Sequence, residues 1–77
     1  MITIYSKLNC PSCDKAKAHM NSKKLEFNEI LISDVTDIKT ISLSDFRQKY
    51  PLVKAVPFLI TNTEIIGGYN ELIKKFA

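Results

Sequence analysis

The chain has 77 residues, of which 45% are hydrophobic and 25% are charged, and its formal net charge is +3 at pH 7. A chain of this length forms one domain (residues 1–77) with a small core, because it buries only roughly 60% of the surface that the unfolded chain exposes. The lysines are spread without a polybasic run, which argues against nucleic-acid binding, and no apolar run approaches the roughly 20 residues that a membrane span needs.

The first half of the chain predicts a strand, a helix and a second strand. Residues 2–6 are rich in apolar and β-branched side chains, which is typical of a short strand. Pro11 suits the first turn of a helix, because its missing N–H would have no partner there, and we predict a helix over residues 11–24. A second apolar segment predicts a strand over residues 26–32. Residues 34–40 form a polar connector.

The second half predicts a helix, a hairpin and a closing helix. Ser42 or Ser44 would cap a helix that ends near Tyr50, before Pro51. Beyond it we predict a strand over residues 58–61, a turn at 62–63 and a second strand over 64–66. A last helix is predicted over residues 69–76. The order β-α-β-α-β-β-α implies an α/β fold, a mixed four-stranded sheet with three helices on its two faces.

The two cysteines of the chain, Cys10 and Cys13, stand two residues apart after the first predicted strand. A disulfide between them would stabilise the fold little, because in the chain-entropy model the stabilisation grows with the length of the closed loop. Residues 1–5 carry no basic segment and begin no long apolar one, so we see no signal peptide and expect a reducing cytosol. The spacing therefore favours a thioredoxin-like redox pair over a structural bridge.

Three separated motifs together resemble the glutaredoxin family. They are Cys10-Pro11-Ser12-Cys13 after the first strand, Val56-Pro57 before the third, and Gly67-Gly68 after the fourth. The resemblance covers essentially the whole chain and is greatest to the small bacterial or phage-type members. It implies a thioredoxin-like fold and a glutathione-dependent thiol–disulfide oxidoreductase. Glutathione would be a co-substrate, with no tightly bound cofactor and no metal.

The resemblance makes Cys10 the nucleophile and Cys13 the resolving thiol. A helix N-terminus and a nearby cation such as Lys7 can lower a cysteine pKa from about 8.5 to the range of roughly 3.5–7.5. A lower pKa raises the thiolate fraction but reduces nucleophilicity, so the main gain is easier departure from a mixed disulfide. The alternatives are an inert buried thiol at Cys10 and a plain core residue at Cys13.

The resemblance also places glutathione. Val56-Pro57 would contain a cis peptide bond, with the Val56 backbone free to pair with an extended thiol substrate. The alternative is an ordinary trans proline that opens an edge strand. The γ-glutamyl end would lie at the start of the last helix, a favourable place for an anion, on residues carried over from the family: Gly68, Tyr69, Asn70 and Glu71.

Several of these assignments have alternatives. Glu71 stands where the family usually has Asp; it would meet the α-ammonium of glutathione or simply be a first-turn helix carboxylate. Tyr69 could be a packing aromatic. Ser12 replaces the usual Tyr, which predicts a lower wall beside the disulfide and looser binding of glutathione. Ala55 replaces the usual Thr, a mild change.

The glycine carboxylate of glutathione would need a cation, and Lys7 is the first candidate. Arg47 and Lys49 are weaker candidates, since a solvated helix face explains them as well. Tyr5 is either a rim aromatic or part of the strand core. His19 is interpreted as a surface helix residue, because no second histidine or carboxylate marks it as a metal ligand.

Two other functions remain open from the sequence. One is a thioredoxin-like electron donor reduced by a thioredoxin reductase, against which the Gly67-Gly68 segment argues. The other is an iron–sulfur carrier in which two subunits each supply Cys10 and two glutathiones complete the ligands. The expected partners are glutathione and disulfide-containing proteins, with ribonucleotide reductase as a family-derived example. We expect a monomer in the cytoplasm, or in the host cytoplasm if a phage encodes it.

Overall fold

The computed structural model describes residues 1–33, 40–53 and 55–77, and within them a mixed sheet is flanked by three helices. The strands are β1 (Ile2–Ser6), β2 (Phe27–Ile32), β3 (Thr40–Ile41), β4 (Phe58–Ile60) and β5 (Ile65–Gly67), and the helices are α1 (Pro11–Ser22), α2 (Leu43–Lys49) and α3 (Tyr69–Lys75). The order across the sheet is β3-β2-β1-β4-β5. β2 runs parallel to β1 and to β3, whereas β4 runs antiparallel to β1 and to β5.

The fold class is confirmed, but the count of four strands was wrong. Within the described residues the sheet has five strands, because the two residues of β3 pair with Leu31 and Ile32 at its edge. Two residues are too few for a period-two pattern to be visible in the sequence. The polar connector was predicted over residues 34–40, and all of it except Thr40 lies outside the described residues.

The helices begin where local chemistry satisfies their first N–H groups. Ser42 caps α2, since its hydroxyl oxygen accepts the N–H of Asp45 at 3.1 Å.

α1 ends at Ser22, two residues before the predicted end. Lys24 has a φ of 57°, a left-handed conformation that cannot continue the helix.

The two faces of the sheet carry separate apolar clusters. Side chains alternate across a strand, so Ile4 packs toward Ala16 and Met20 of α1, with Leu72 of α3 in the same cluster. The neighbouring side chain of β1, Tyr5, points to the opposite face. That second cluster consists of the buried residues Tyr5, Ile32, Phe46 and Phe58. Tyr5 is therefore a core residue and not a rim aromatic.

The strand directions bring the three sequence motifs to one end of the sheet. β1 leads out to the cysteines, and β4 begins beside the end of β1 because Tyr5 pairs with Phe58 in an antiparallel ladder. β5 returns along β4, with Gly67 opposite Leu59. Residues 10–13, 56–57 and 67–68 thus converge although they are far apart in the chain. Among the described residues, no helix is long and apolar enough to cross a membrane.

Candidate active site

Cys10 and Cys13 form a disulfide at the start of α1. Cys10 is the N-cap of this helix, and its sulfur accepts the N–H of Cys13 at 3.2 Å. Cys13 is 1% exposed, whereas Cys10 is only partly buried. The sulfur that an incoming thiol or disulfide can reach is therefore that of Cys10. Its position among the unpaired N–H groups of the first turn favours a thiolate.

Asn9 sets the direction in which the chain enters α1. Its φ is 57°, in the left-handed region, where asparagine is one of the few residues apart from glycine that occurs with any frequency. The turn at Asn9 leaves Cys10 in an extended conformation, with φ −114° and ψ 97°, so that its side chain caps the helix. The sequence analysis did not identify Asn9, although an asparagine directly before a capping residue is a recognisable turn signal.

The peptide bond between Val56 and Pro57 is cis, as the resemblance implied. It leads directly into β4, and Pro57 is buried while Val56 is partly exposed. A cleft of about 470 Å³ lies beside this bond. We call it the glycine cleft; its lining consists of Ser12, Val53, Ala55, Val56, Pro57, Phe58, Gly67, Gly68, Tyr69, Asn70 and Glu71. All predicted glutathione-binding residues except Lys7 line this cleft.

The strand-to-helix junction of the cleft requires glycine at its first position. Gly67 has a φ of +117°, and a Cβ built there would lie 2.9 Å from Cγ of Glu71. The N–H of Gly68 donates to Oε1 of Glu71 at 2.8 Å, so this carboxylate folds back over the N-terminus of α3. Glu71 thus makes the contact of a first-turn helix carboxylate. The side chain of Tyr69 packs against the core cluster that contains Leu72.

Lys7 lies in an adjoining cleft and not in the glycine cleft. This second cleft, the Lys7 cleft, has a volume of about 440 Å³ and is lined by Lys7, Ile32, Leu43, Phe46, Arg47, Pro51, Val53, Ala55 and Val56. It shares Val53, Ala55 and Val56 with the glycine cleft. Arg47 therefore joins Lys7, whereas Lys49 lies 5.7 Å from the centre of the Tyr50 ring and lines neither cleft.

His19 takes part in a tertiary contact. Its Nε2 lies 2.8 Å from the carbonyl oxygen of Phe76, which joins the end of α1 to the end of α3. Among the described residues there is no group of three or more histidine, cysteine or acidic side chains that could hold a metal ion.

A polar cluster at the end of β1 was missed by the sequence analysis. The hydroxyl of Ser6 and the ammonium of Lys17 both donate to Oε2 of Glu29, at 2.6 Å and 2.8 Å. The hydrogen bond from Lys17, followed by that from Ser6, lowers the pKa of Glu29, and the bond to Glu29 raises the pKa of Lys17.

On the opposite face of the sheet, burial and the hydrogen bond with Tyr50 raise the pKa of Tyr5 to about 12.

The glutaredoxin family model matches residues 2–66 of this chain, which include both cysteines and the cis proline. The chain belongs to the glutaredoxin family. Members of this family are thiol–disulfide oxidoreductases, and the disulfide at the start of α1 is the redox centre that this activity uses.

Relatives of this chain include small and larger proteins. A glutaredoxin-like 8.6 kDa protein of Clostridium pasteurianum is 31% identical over 71 residues, covering 92% of this chain and 88% of the relative. Glutaredoxin 1 of Rickettsia conorii is also 31% identical over 71 residues, 92% of this chain and 67% of that protein. The hybrid peroxiredoxin hyPrx5 of Haemophilus influenzae is 33% identical over 76 residues, but the match spans 29% of its length.

Solved structures show the same architecture. Glutaredoxin 1 of Francisella tularensis, crystallised with cacodylate, superposes with a TM-score of 0.74 at 26% identity, covering 96% of this chain and 88% of that one. A buckwheat glutaredoxin in complex with glutathione superposes with a TM-score of 0.65 at 18% identity, covering 96% of this chain and 66% of that one. The second similarity concerns the fold alone.

Proposed function

We propose that this glutaredoxin is glutathione-dependent and that glutathione lies in the glycine cleft. The observation that carries the proposal is the position of this cleft, which runs from Ser12, between the two cysteines, past the cis proline to the start of α3. Its volume of about 470 Å³ lies within the range of small-molecule sites, about 300–1,000 Å³. The buckwheat glutaredoxin, which shares this fold, was solved as a glutathione complex, and the proposal takes the same ligand class for this chain.

The clefts suggest an orientation for the tripeptide. Its cysteine would pair with the backbone of Val56 as a short strand, which brings its sulfur to Cys10. The γ-glutamyl carboxylate would lie at the backbone N–H groups of Tyr69 and Asn70. Glu71 has one carboxylate oxygen on Gly68, and its other oxygen is the proposed acceptor for the α-ammonium. The glycine carboxylate would point toward Lys7 and Arg47 in the adjoining cleft.

The proposed cycle transfers two electrons from the dithiol to a disulfide. The Cys10 thiolate attacks one sulfur of the substrate, forming a mixed disulfide and releasing the other sulfur as a thiolate that takes a proton. Cys13 then loses its proton and attacks the Cys10 sulfur, which closes the protein disulfide and frees the second substrate thiolate. A first glutathione thiolate attacks the Cys10 sulfur, which forms a mixed disulfide between Cys10 and glutathione and releases the Cys13 thiolate to take up a proton. A second glutathione thiolate then attacks the glutathione sulfur of that mixed disulfide. This releases oxidised glutathione and restores the Cys10 thiolate.

Protein disulfides and protein–glutathione mixed disulfides are the proposed substrates, with ribonucleotide reductase as one candidate. The exposure of Cys10 beside the clefts supports attack on a protein-bound disulfide. Removal of glutathione from a mixed disulfide would need Cys10 alone, whereas reduction of a protein disulfide would need both thiols. We propose that the enzyme works as a monomer in the cytoplasm.

The decisive experiment compares two reducing systems on one oxidised substrate. The protein is supplied with NADPH and either glutathione plus glutathione reductase, or thioredoxin reductase, and NADPH oxidation is followed. We expect turnover with the glutathione system, loss of it in Cys10→Ser, and retained deglutathionylation in Cys13→Ser. Turnover with thioredoxin reductase, together with no turnover in the glutathione system, would overturn the proposal. Visible absorbance after anaerobic reconstitution with iron and sulfide, lost in Cys10→Ser, would support the iron–sulfur alternative instead.

A further inference from the structure

The Ser6–Glu29–Lys17 cluster connects three elements of the fold, β1, β2 and α1. One carboxylate oxygen, Oε2 of Glu29, accepts hydrogen bonds from Ser6 on β1 and from Lys17 on α1, while Glu29 itself belongs to β2. Ser6 is 1% exposed, and the side chains of Lys17 and Glu29 are 28% and 33% exposed. The cluster is thus a partly buried ion pair with a fully buried hydroxyl attached to it.

The position of the cluster relates it to the cysteines. Ser6 is the last residue of β1, from which the chain continues directly into the loop that carries Cys10. Lys17 follows Cys13 by four residues on α1, and residues with this spacing are neighbours on one side of a helix. Cys13 is buried at 1% exposure, as is Ser6. Lys17, one partner of the ion pair, therefore lies one helical turn along α1 from the buried Cys13.

Charge in this region is balanced by specific partners. The charged groups in contact here are Lys17 and Asp14 on α1 and Glu29 on β2, whereas Lys7 lines the Lys7 cleft. Asp14 lies 3.6 Å from Lys17 but is 77% exposed, so solvent screens it. Because the two hydrogen bonds lower the pKa of Glu29, its carboxylate is charged at neutral pH and Lys17 neutralises it.

The redox reaction changes the charge near this pair. In the disulfide both sulfurs are neutral, whereas reduction by two electrons and one proton gives a Cys10 thiolate beside a Cys13 thiol. A nearby unbalanced charge therefore changes the free energy of the reduced form and leaves that of the disulfide almost unchanged. A negative charge would favour the disulfide, and a positive charge would favour the thiolate.

We propose that Glu29 and Lys17 are positioning residues that set the equilibrium between the dithiol and the disulfide, with Ser6 orienting the Glu29 carboxylate. Neither ion touches the reacting sulfurs; they act through the electrostatic potential at the first turn of α1 and through the attachment of α1 to β1 and β2. This inference rests on the dithiol chemistry of Cys10 and Cys13 and does not require glutathione to bind in the glycine cleft.

The test is a double-mutant cycle on the whole chain, in which each charge of the ion pair is removed singly and then both are removed together. Wild type, Lys17→Met, Glu29→Gln and the double variant are equilibrated in buffers of reduced and oxidised glutathione. The oxidised fraction is then measured by alkylation and mass spectrometry. Glutathione serves here only as a redox buffer, since an equilibrium constant does not depend on a binding site. The pKa of Cys10 is followed in parallel by thiolate absorbance.

The expected shifts have opposite signs. Lys17→Met leaves an unpaired carboxylate, so it should favour the disulfide by about two- to tenfold and raise the pKa of Cys10. Glu29→Gln should favour the dithiol by a similar factor and lower that pKa. The double variant, which is again neutral, should lie within about twofold of wild type. For a two-electron couple, tenfold corresponds to about 30 mV.

Two further variants keep the test decisive. Lys23→Met removes the same charge from the far end of α1 and should leave the equilibrium within about twofold of wild type. Lys17→Gln keeps a polar chain and should shift in the same direction as Lys17→Met, which covers the case in which the methionine variant does not fold. Shifts of equal sign in Lys17→Met and Glu29→Gln would indicate a purely structural role and overturn the proposal. So would the absence of any shift.

Discussion

The glycine cleft and the Lys7 cleft share Val53, Ala55 and Val56 along one wall, and they differ in what forms the rest. In the glycine cleft, the far wall is a strand-to-helix junction whose shape depends on a positive φ at Gly67 and a carboxylate folded over Gly68. In the Lys7 cleft, an apolar floor carries two long cationic side chains. In the proposed binding mode the first cleft would hold a peptide by backbone geometry, whereas the second offers charge without fixed geometry. Substitutions should therefore affect the first cleft through stability and the second through salt-sensitive affinity.

The largest expected effect comes from a side chain at Gly67. Gly67→Ala should reduce the free energy of unfolding by about 1–3 kcal/mol, because alanine is strained at φ +117° and its Cβ would contact Glu71. Gly68→Ala is the matched control, since φ there is −97° and its Cβ would lie 3.3 Å from a flexible carboxylate oxygen. Urea denaturation measures both. Equal losses would contradict the requirement for glycine at position 67.

Glu71 separates the two roles of the junction. Glu71→Ala should cost about 1 kcal/mol of stability, because the N–H of Gly68 loses its partner. Glu71→Gln keeps an acceptor for that N–H and should retain most of the stability. If the second carboxylate oxygen also receives the ammonium of glutathione, Glu71→Gln should still raise the KM for glutathione by about three- to fivefold. Unchanged KM in a stable Glu71→Gln protein would leave Glu71 with the helix contact alone.

The Lys7 cleft should respond to charge removal. Lys7→Ala and Arg47→Ala should each raise the KM for a glutathione mixed disulfide by about two- to fivefold, with the difference from wild type shrinking at high salt. Lys49→Ala is the matched control, because it removes a cation from the same helix but outside both clefts. An equal effect of all three would indicate a general influence of net charge.

The smallest expected effect is at Ser12, where the two cysteines meet the glycine cleft. Ser12→Tyr restores the aromatic that the family usually carries, and it should lower the KM for glutathione about twofold by raising the wall of the cleft. Initial rates at varied glutathione concentration, with glutathione reductase and NADPH, measure the change in KM. The idea that serine loosens glutathione is wrong if the affinity does not increase in a folded Ser12→Tyr protein.

Features written into contiguous residues could be predicted from the sequence. The β-branched start of the chain gave β1, Pro11 marked the start of α1, and Ser42 capped α2. The cis bond at Pro57 followed from the family resemblance and not from any local pattern, because most X–Pro bonds are trans.

Features that depend on distant residues could not be predicted in this way. Glu29 meets Lys17 and Ser6 across 12 and 23 positions of the chain, and nothing in the sequence near any of the three marks the contact. The separation of Lys7 from the glycine cleft has the same origin. It depends on the residues around Val56, which line both the glycine cleft and the Lys7 cleft and so separate one from the other. β3 was missed for a different reason, since its two residues are defined only by their partners on β2.

The hairpin between β4 and β5 turns at the end of the sheet opposite the cysteines, because Ile60 pairs with Thr3 at the beginning of β1. Asn62 and Thr63 are exposed there, and the hydroxyl of Thr61 accepts the N–H groups of Thr63 and Glu64. This tip is thus a natural attachment point. A linker at residue 62 would attach the enzyme to a support with its reactive sulfur facing away from that support. A fluorophore at the same residue would label the protein without blocking access of partners to Cys10.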